Sequence, residues 1–509
     1  MSDPTTAGRV SLSESGFPTL WDLLEDHART YPQQLAVVCE DVRLTYPELK
    51  ARVTGLATGL ASHGIGSGDC LLWCAQNCHR VLELLVAASR LGAFVCVANW
   101  RWSTDELHWV VGDANPSMIF WRGEDFPEDL QSAADEGSAT QWLDLDSYEQ
   151  LLRSPRREKA LPMGRADQPV LLLYTSAFEG RPSGVLFDNV GIFIQGLSLA
   201  ALRGIGHDDR YLCCGPLFHV ATMMPMLATF HMGGTNIYLP RADPQAICEA
   251  VDQERCTGAF IVEPTISRIV ELNQDGRYDL RSLRVPPGPA EWNTMVTVDT
   301  TSRGGYGLTE AGGVVTAGEV GGIGTHGRPL PNVLVRVIDE EGVTLPAEEV
   351  GEIAIKGPGM MVGYYRRLEL NARRFADGWF RTGDLGRQEP DGSFSFVGTK
   401  RHFIKSGNEN IYPAEVERCL RSHPAVADCA VIGVPDPIWN QRVKAVVVRA
   451  KSYDDTTAED LIDHCRAHLA SYKKPSEVAF VDALPYCGQA VDYDELDREH
   501  GGGGYPGRS

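Results

Sequence analysis

The chain has 509 residues and a formal charge of −21. That length exceeds one ordinary core and predicts a large multi-lobed domain with a smaller one beside it. The acidic balance argues against nucleic acid or an anionic membrane surface as the main partner. No run approaches the ~20 apolar residues of a membrane span. Met1 to Phe17 lacks the basic-then-apolar pattern of a signal peptide, so the expected location is the cytoplasm. Thirteen cysteines are scattered through apolar segments. Cys70, Cys74 and Cys78 stand four apart, but Asp69 to Ala75 reads as a strand, so the three do not share a face. With no CxxC pair and no histidines read at metal spacing, the expectation is reduced core thiols and no metal site.

From Thr19 to Val97 helix-like and strand-like runs alternate, which predicts a layered α/β domain with a largely parallel sheet. Glu124 to Arg165 is polar and charged and reads as surface helices and a loop. At Leu171 to Val185 an apolar run ends in Tyr174-Thr175-Ser176 and empties into a turn rich in Gly, Pro and Ser. Such a turn commonly aims backbone N–H groups at a phosphate. Here Phe178 and Glu179 stand where the phosphate would sit, and the turn's only cation is Arg181. Val170 to Leu239 resumes the alternation, and Pro244 to Asp279 reads as helix, strand, helix. After Gly322, short strand-like runs separated by DG-type turns predict a small β-rich lobe. The charged stretch Thr399 to His402 breaks it, and a compact α+β unit follows. The expected division is residues 1–400, a mobile C-terminal domain at 401–500, and a flexible tail at 501–509 beginning with four glycines.

A set of motifs in fixed order resembles the adenylate-forming superfamily, which includes acyl-CoA synthetases, aryl-acid ligases, nonribosomal adenylation domains and luciferases. The most specific is Tyr306-Gly307-Leu308-Thr309-Glu310. Next come Arg381-Thr382-Gly383-Asp384-Leu385-Gly386 and the run from Ile411 to Glu417. Pro216-Leu217-Phe218-His219, Gly327-Arg328-Pro329 and Tyr472-Lys473-Lys474-Pro475 are weaker. The resemblance implies an N-terminal domain and a C-terminal domain that rotates about a hinge at Arg401. It also implies a two-step reaction: a carboxylate joins ATP to give an acyl-AMP and pyrophosphate, and a thiol or amine then attacks the adenylate. The first step needs cations, Mg²⁺ and aimed N–H donors around a triphosphate.

By that resemblance Glu310 is the metal- or phosphate-side glutamate, Thr309 its hydroxyl partner, and Asp384 the carboxylate that holds the ribose. The residues alone also allow Thr309 and Glu310 to cap a helix and Asp384 to satisfy a turn. Against the family pattern, the phosphate turn around Ser176 has lost a glycine, two hydroxyls and a lysine, and has gained Glu179. A like-charge contact of that kind is worth ~4 kcal/mol at an effective dielectric of 20. The adenine-facing span from Leu283 to Tyr306 is short, so a remodelled nucleobase wall is expected. Thr399 replaces an arginine, and Gln489 or Ala490 replaces the lysine that bridges carboxylate and α-phosphate. Asn408 stands where thioester-forming relatives leave room for pantetheine with a glycine. Lys405 matches a lysine that some relatives use in the second step, or is a surface lysine.

The acyl pocket is expected from His219, Met223, Met224, Val262, Glu263, Gly304 and Gly305, with Tyr306 beside it and Glu263 a polar handle for substrate. These departures lead to the expectation of an enzyme that no longer makes its own adenylate. It would take an acyl or aryl group already activated as a thioester or adenylate and pass it to an amine, hydroxyl or carbon nucleophile in specialised metabolism. His219, Glu310 and Lys405 are the expected catalytic residues. ATP and Mg²⁺ become doubtful, while CoA or carrier-protein pantetheine, as acyl donors, remain open. The alternatives are an ATP-dependent acid ligase whose site is compensated by Arg181, Lys400 or Lys405, and a non-catalytic binding protein of the same fold.

Overall fold

The computed structural model describes residues 16–122, 140–153, 161, 163–175, 182–300, 303–319, 327–399, 403–407, 409–451, 453, 455–487 and 490–505. Ser176, Glu179, Arg181, Lys400, Arg401, Asn408 and Gln489 lie outside the described residues. The helix Leu20–Thr30 opens the fold with a capping box: Thr19 Oγ1 accepts from the Asp22 N–H, and the Asp22 carboxylate accepts from the Thr19 N–H. Its apolar stripe, Leu20, Trp21 and Leu24, faces the core.

The central sheet has seven strands, in the order Gly363–Tyr364, Gly184–Asp188, Pro169–Tyr174, Phe94–Val97, Cys70–Cys74, Met118–Trp121 and Gln141–Leu143. Cys70–Cys74 is apolar throughout and buried at every position, as a strand covered on both faces of a parallel sheet must be. It runs parallel to both neighbours. A second sheet orders Gly258–Ala259, Arg210–Cys213, Thr235–Tyr238, Leu35–Cys39 and Val42–Thr45. A third, antiparallel lobe is built on Leu334–Ile338, Gly351–Lys356 and Trp379–Gln388. The molecule is thus an α/β fold with a large N-terminal domain and a smaller C-terminal domain. The smaller domain is organised by the long hairpin Val426–Asp436 with Asn440–Arg449, backed by the helices Pro413–Arg421 and Ala458–His468.

One expectation takes shape and another changes. The span after Leu283 is short yet ordered: Arg284–Val285 leads through the helix Ala290–Met295 to Thr297–Val298, which returns parallel to it. A short span with one six-residue helix is what the shortened sequence there leads one to expect. The glycine tail is not loose as far as Tyr505, whose ring is buried. Its hydroxyl donates to Asp497 Oδ1 at 2.8 Å and accepts from the Gly433 N–H at 3.0 Å. One buried aromatic and two hydrogen bonds outweigh the flexibility of the glycines before it.

Candidate active site

A cavity of about 1800 Å³ lies between the two domains. The N-terminal domain contributes Thr175, His219, Met224, Gly305, Tyr306, Thr309, Glu310 and Asp384, and the C-terminal domain Lys405, Glu409, Tyr412 and Tyr472. Gly305 sits where the chain passes against the strand Thr316–Glu319; a Cβ there would lie 1.7 Å from the Thr316 carbonyl oxygen. Only glycine lets the cavity wall and that strand meet so closely.

Two carboxylates hang on this wall, each held by a tyrosine. Tyr306 donates its hydroxyl to Asp384 Oδ2 at 2.6 Å while its ring stacks on Phe396. Burial pushes the Asp384 carboxyl up to about 7, the Tyr306 bond opposing this only in part and the nearby Glu310 adding to it. Glu310, 3% exposed, accepts from Tyr364 at 2.7 Å, and burial raises its carboxyl too. Tyr364 comes from the edge strand of the central sheet, which pairs with Gly184–Asp188. Glu310 and Thr309 belong to a single 3-10 turn. Glu310 brings a carboxylate to the cavity wall and Thr309 a hydroxyl, oxygen donors of the type Mg²⁺ takes alongside substrate phosphates.

His219 precedes the helix Val220–His231 without capping it, so its ring is free to face the domain boundary. Its Nε2 lies 3.2 Å from Arg101 Nη2 and 3.3 Å from Glu409 Oε1. Arg101 and Glu409 form an ion pair across the boundary. The guanidinium is also ringed by Trp100, Phe218 and Tyr472. Burial alone would raise the Glu409 carboxyl; His219 and Arg101 outweigh it and hold it down at about 2. Lys405 Nζ donates to Asn410 Oδ1 at 2.9 Å, and burial lowers its ammonium. It is a cavity-wall lysine and not a surface one.

One sequence assignment needs correction, and two others are located. Met223 is fully buried in the main core and does not line the cavity, whereas Met224 does: neighbours on a helix diverge by about 100°. Gly304 lies in the short strand paired with Gly318, next in sequence to the wall residue Gly305. Glu263 is at the cavity mouth, exposed, and its carboxylate is taken up by Ser267 Oγ at 2.8 Å and the Ser267 N–H at 3.3 Å. It thereby braces the first turn of the helix Thr265–Leu272 while lining the cavity. Sequence reasoning missed Arg101, Glu409 and the buried Glu106–Lys473–Glu415 cluster at the seam. Lys473 and Glu415 lie inside motifs already singled out, but nothing local marks Glu106 as their partner. The histidine spacing is also corrected: His464 and His468 stand four apart on one helix with Cys419 beside them.

The sequence matches the AMP-binding enzyme family over residues 24–365 and that family's C-terminal domain over residues 415–488. The chain belongs to the AMP-binding enzyme family. It is 36% identical to a feruloyl-CoA synthase from Amycolatopsis sp over 485 residues, covering 91% of this chain and 94% of that one. Among solved structures it resembles the amide bond synthetase from Marinactinospora thermotolerans, at 25% identity and a TM-score of 0.81, covering 95% and 99% of the two chains. It equally resembles a double mutant of o-succinylbenzoate CoA synthetase from Bacillus subtilis bound to a product analogue: TM-score 0.81, 26% identity, 94% and 98% covered. The same synthetase with its acyl-adenylate, or with ATP and magnesium, scores 0.65. The overall likeness is therefore greater to the product-analogue complex than to those two complexes of the same synthetase. These relatives are ligases and synthetases, and they give no support to the expected loss of ATP-dependent adenylation.

Proposed function

We propose that the protein is an ATP-dependent ligase of an aryl-bearing carboxylic acid, forming an acyl adenylate and passing the acyl group to CoA or an amine. The observation that carries this reading is the pair of buried, tyrosine-held carboxylates, Glu310 and Asp384, on the wall of a cavity that both domains close. A binding protein that had abandoned nucleotide gains nothing from two buried carboxylates whose charged forms burial disfavours.

In the first step a substrate carboxylate oxygen attacks the α-phosphorus and pyrophosphate leaves. Glu310 and Thr309 would hold Mg²⁺, which would supply positive charge against the phosphates. In this reading Asp384 accepts from ribose hydroxyls. In the second step the thiol or amine attacks the acyl carbon and AMP departs. Lys405, on the C-terminal face of the cavity, supplies positive charge beside the departing phosphate. The feruloyl and succinylbenzoyl relatives favour an aromatic acyl group, and the wall by Phe218, Met224 and Phe260 suits one. The substituted phosphate turn makes Lys405 and Lys474 the lysines that line the cavity among the described residues.

Pyrophosphate exchange with ATP·Mg²⁺ and a panel of cinnamates, benzoates and arylacetates tests the proposal. Exchange with at least one aryl acid, followed by product formation with CoA or an amine, is the expected result. Absence of ATP binding by calorimetry, together with absence of exchange across the panel, overturns it.

A further inference from the structure

Away from the active-site cavity, on the outer side of the domain seam, Cys419, His464 and His468 come together. Cys419 belongs to the helix Pro413–Arg421, and the two histidines, four residues apart, share a face of Ala458–His468. The sulfur and one nitrogen from each ring all lie within 4.8 Å of one another. The two rings stand 4.3 Å apart between centroids.

We propose that these three side chains bind a thiophilic divalent cation of the zinc type, clipping the two helices of the C-terminal domain together. One thiolate and two imidazoles are the donor set that selects such an ion over Mg²⁺ or Ca²⁺. Tetrahedral bonds of about 2.0–2.3 Å require the donors to close by roughly an ångström, which the half-exposed His468 ring allows. The surroundings are those of a ligand shell. His468 Nδ1 sits 2.7 Å from the His464 carbonyl, which takes its N–H and leaves Nε2 with the lone pair. A metal-binding histidine is oriented in this way. The His464 ring is anchored through Nε2 by Ser422 Oγ at 2.9 Å and the Cys419 carbonyl at 3.1 Å.

The fourth position faces the N-terminal domain. Asp105 Oδ2 lies 3.8 Å from His468 Nε2, and its neighbour Glu106 holds Lys473 and the Ala470 N–H across the seam. An ion at this site stiffens the surface on which the C-terminal domain docks.

The full-length protein, stripped with chelator, is titrated with Co²⁺ and then with Zn²⁺. One equivalent of Co²⁺ is expected to give visible tetrahedral bands and a near-ultraviolet thiolate-to-cobalt band, both erased by Zn²⁺. Cys419→Ser removes the near-ultraviolet band, and His464→Gln and His468→Gln each weaken Zn²⁺ binding by about tenfold or more. Because Cys419 is buried, the metal-free melting curve of its variant is recorded alongside. His468→Gln, at a half-exposed position, keeps the test decisive if that variant unfolds. A cobalt spectrum without a thiolate band, or His468→Gln binding Zn²⁺ as tightly as the parent, overturns the proposal.

Discussion

Lys473 Nζ lies 2.5 Å from Glu106 Oε1, one residue in each domain, and 2.8 Å from Glu415 Oε1 on its other side. All three side chains are buried. Burial would strip the Lys473 proton, but the two carboxylates outweigh it and hold the ammonium charged. Glu415 is raised by burial despite the lysine. Lys473→Met leaves two facing carboxylates in a dry seam, at an expected cost of about 3–5 kcal/mol. The second half-reaction should fall further than pyrophosphate exchange, because the seam holds the C-terminal domain where Lys405 faces the cavity. Urea unfolding and separate assays of the two steps check this. Equal loss in both steps would show that the seam does not discriminate between them.

Lys405 faces the cavity from the C-terminal side. Lys405→Met is expected to lower ligation on the order of 100-fold, the usual loss for one transition-state donor, while exchange stays within a few-fold of the parent. Single-turnover transfer from pre-formed acyl adenylate separates the two.

For Asp384 the sign of the pH dependence follows from its carboxyl being raised from 3.8 to about 7. The folded state holds the proton more tightly than the unfolded chain. Its contribution to stability is therefore complete below pH 3.8, declines as pH rises towards 7, and is flat above that. Asp384→Asn keeps an acceptor for Tyr306 and has no charge to bury. Its melting temperature should match the parent near pH 3.8, exceed it progressively up to pH 7, and keep that margin above. Activity should fall, since the ribose-side carboxylate is gone. Melting curves across that range decide the matter; a constant offset would contradict the burial argument.

Gly305→Ala places a methyl 1.7 Å from the Thr316 carbonyl. Backbone on both sides cannot retreat cheaply, so a loss of about 2 kcal/mol or more is expected, with KM for the acid rising. Calorimetric melting and steady-state kinetics report the two effects.

Glu263→Gln should leave KM for the acid within about twofold and cost no more than about 0.5 kcal/mol, since its carboxylate is taken up by an exposed helix turn. A KM shift of tenfold would return it to the role of substrate handle.

The fold was legible in the sequence because local signals agree with the tertiary outcome. Cys70 to Cys74 reads as a buried strand and is one, and the motif around Tyr306 and Asp384 marks the cavity wall. The seam was not legible. Arg101 and Glu409, like Glu106 and Lys473, are separated by over three hundred residues, and no periodicity or turn chemistry announces such a pairing. Met223 and Met224 could be told apart only once the helix phase was fixed. Glu263 is an isolated acid beside proline, and nothing local announces the serine four residues on that its carboxylate meets. The His464 and His468 spacing was readable and was passed over, because the cysteine that gives it meaning lies on another helix.

The N–H of Thr175 donates to the Ser183 carbonyl at 3.0 Å, and the Thr175 hydroxyl donates to the same oxygen at 3.3 Å. This clasp closes the base of the substituted phosphate turn, between two strands already zipped from Pro169 to Gly184. The frame is therefore finished before the turn begins. A lineage could exchange an entire cradle without losing the scaffold, which makes this short segment an economical place to reprogram the enzyme in the laboratory.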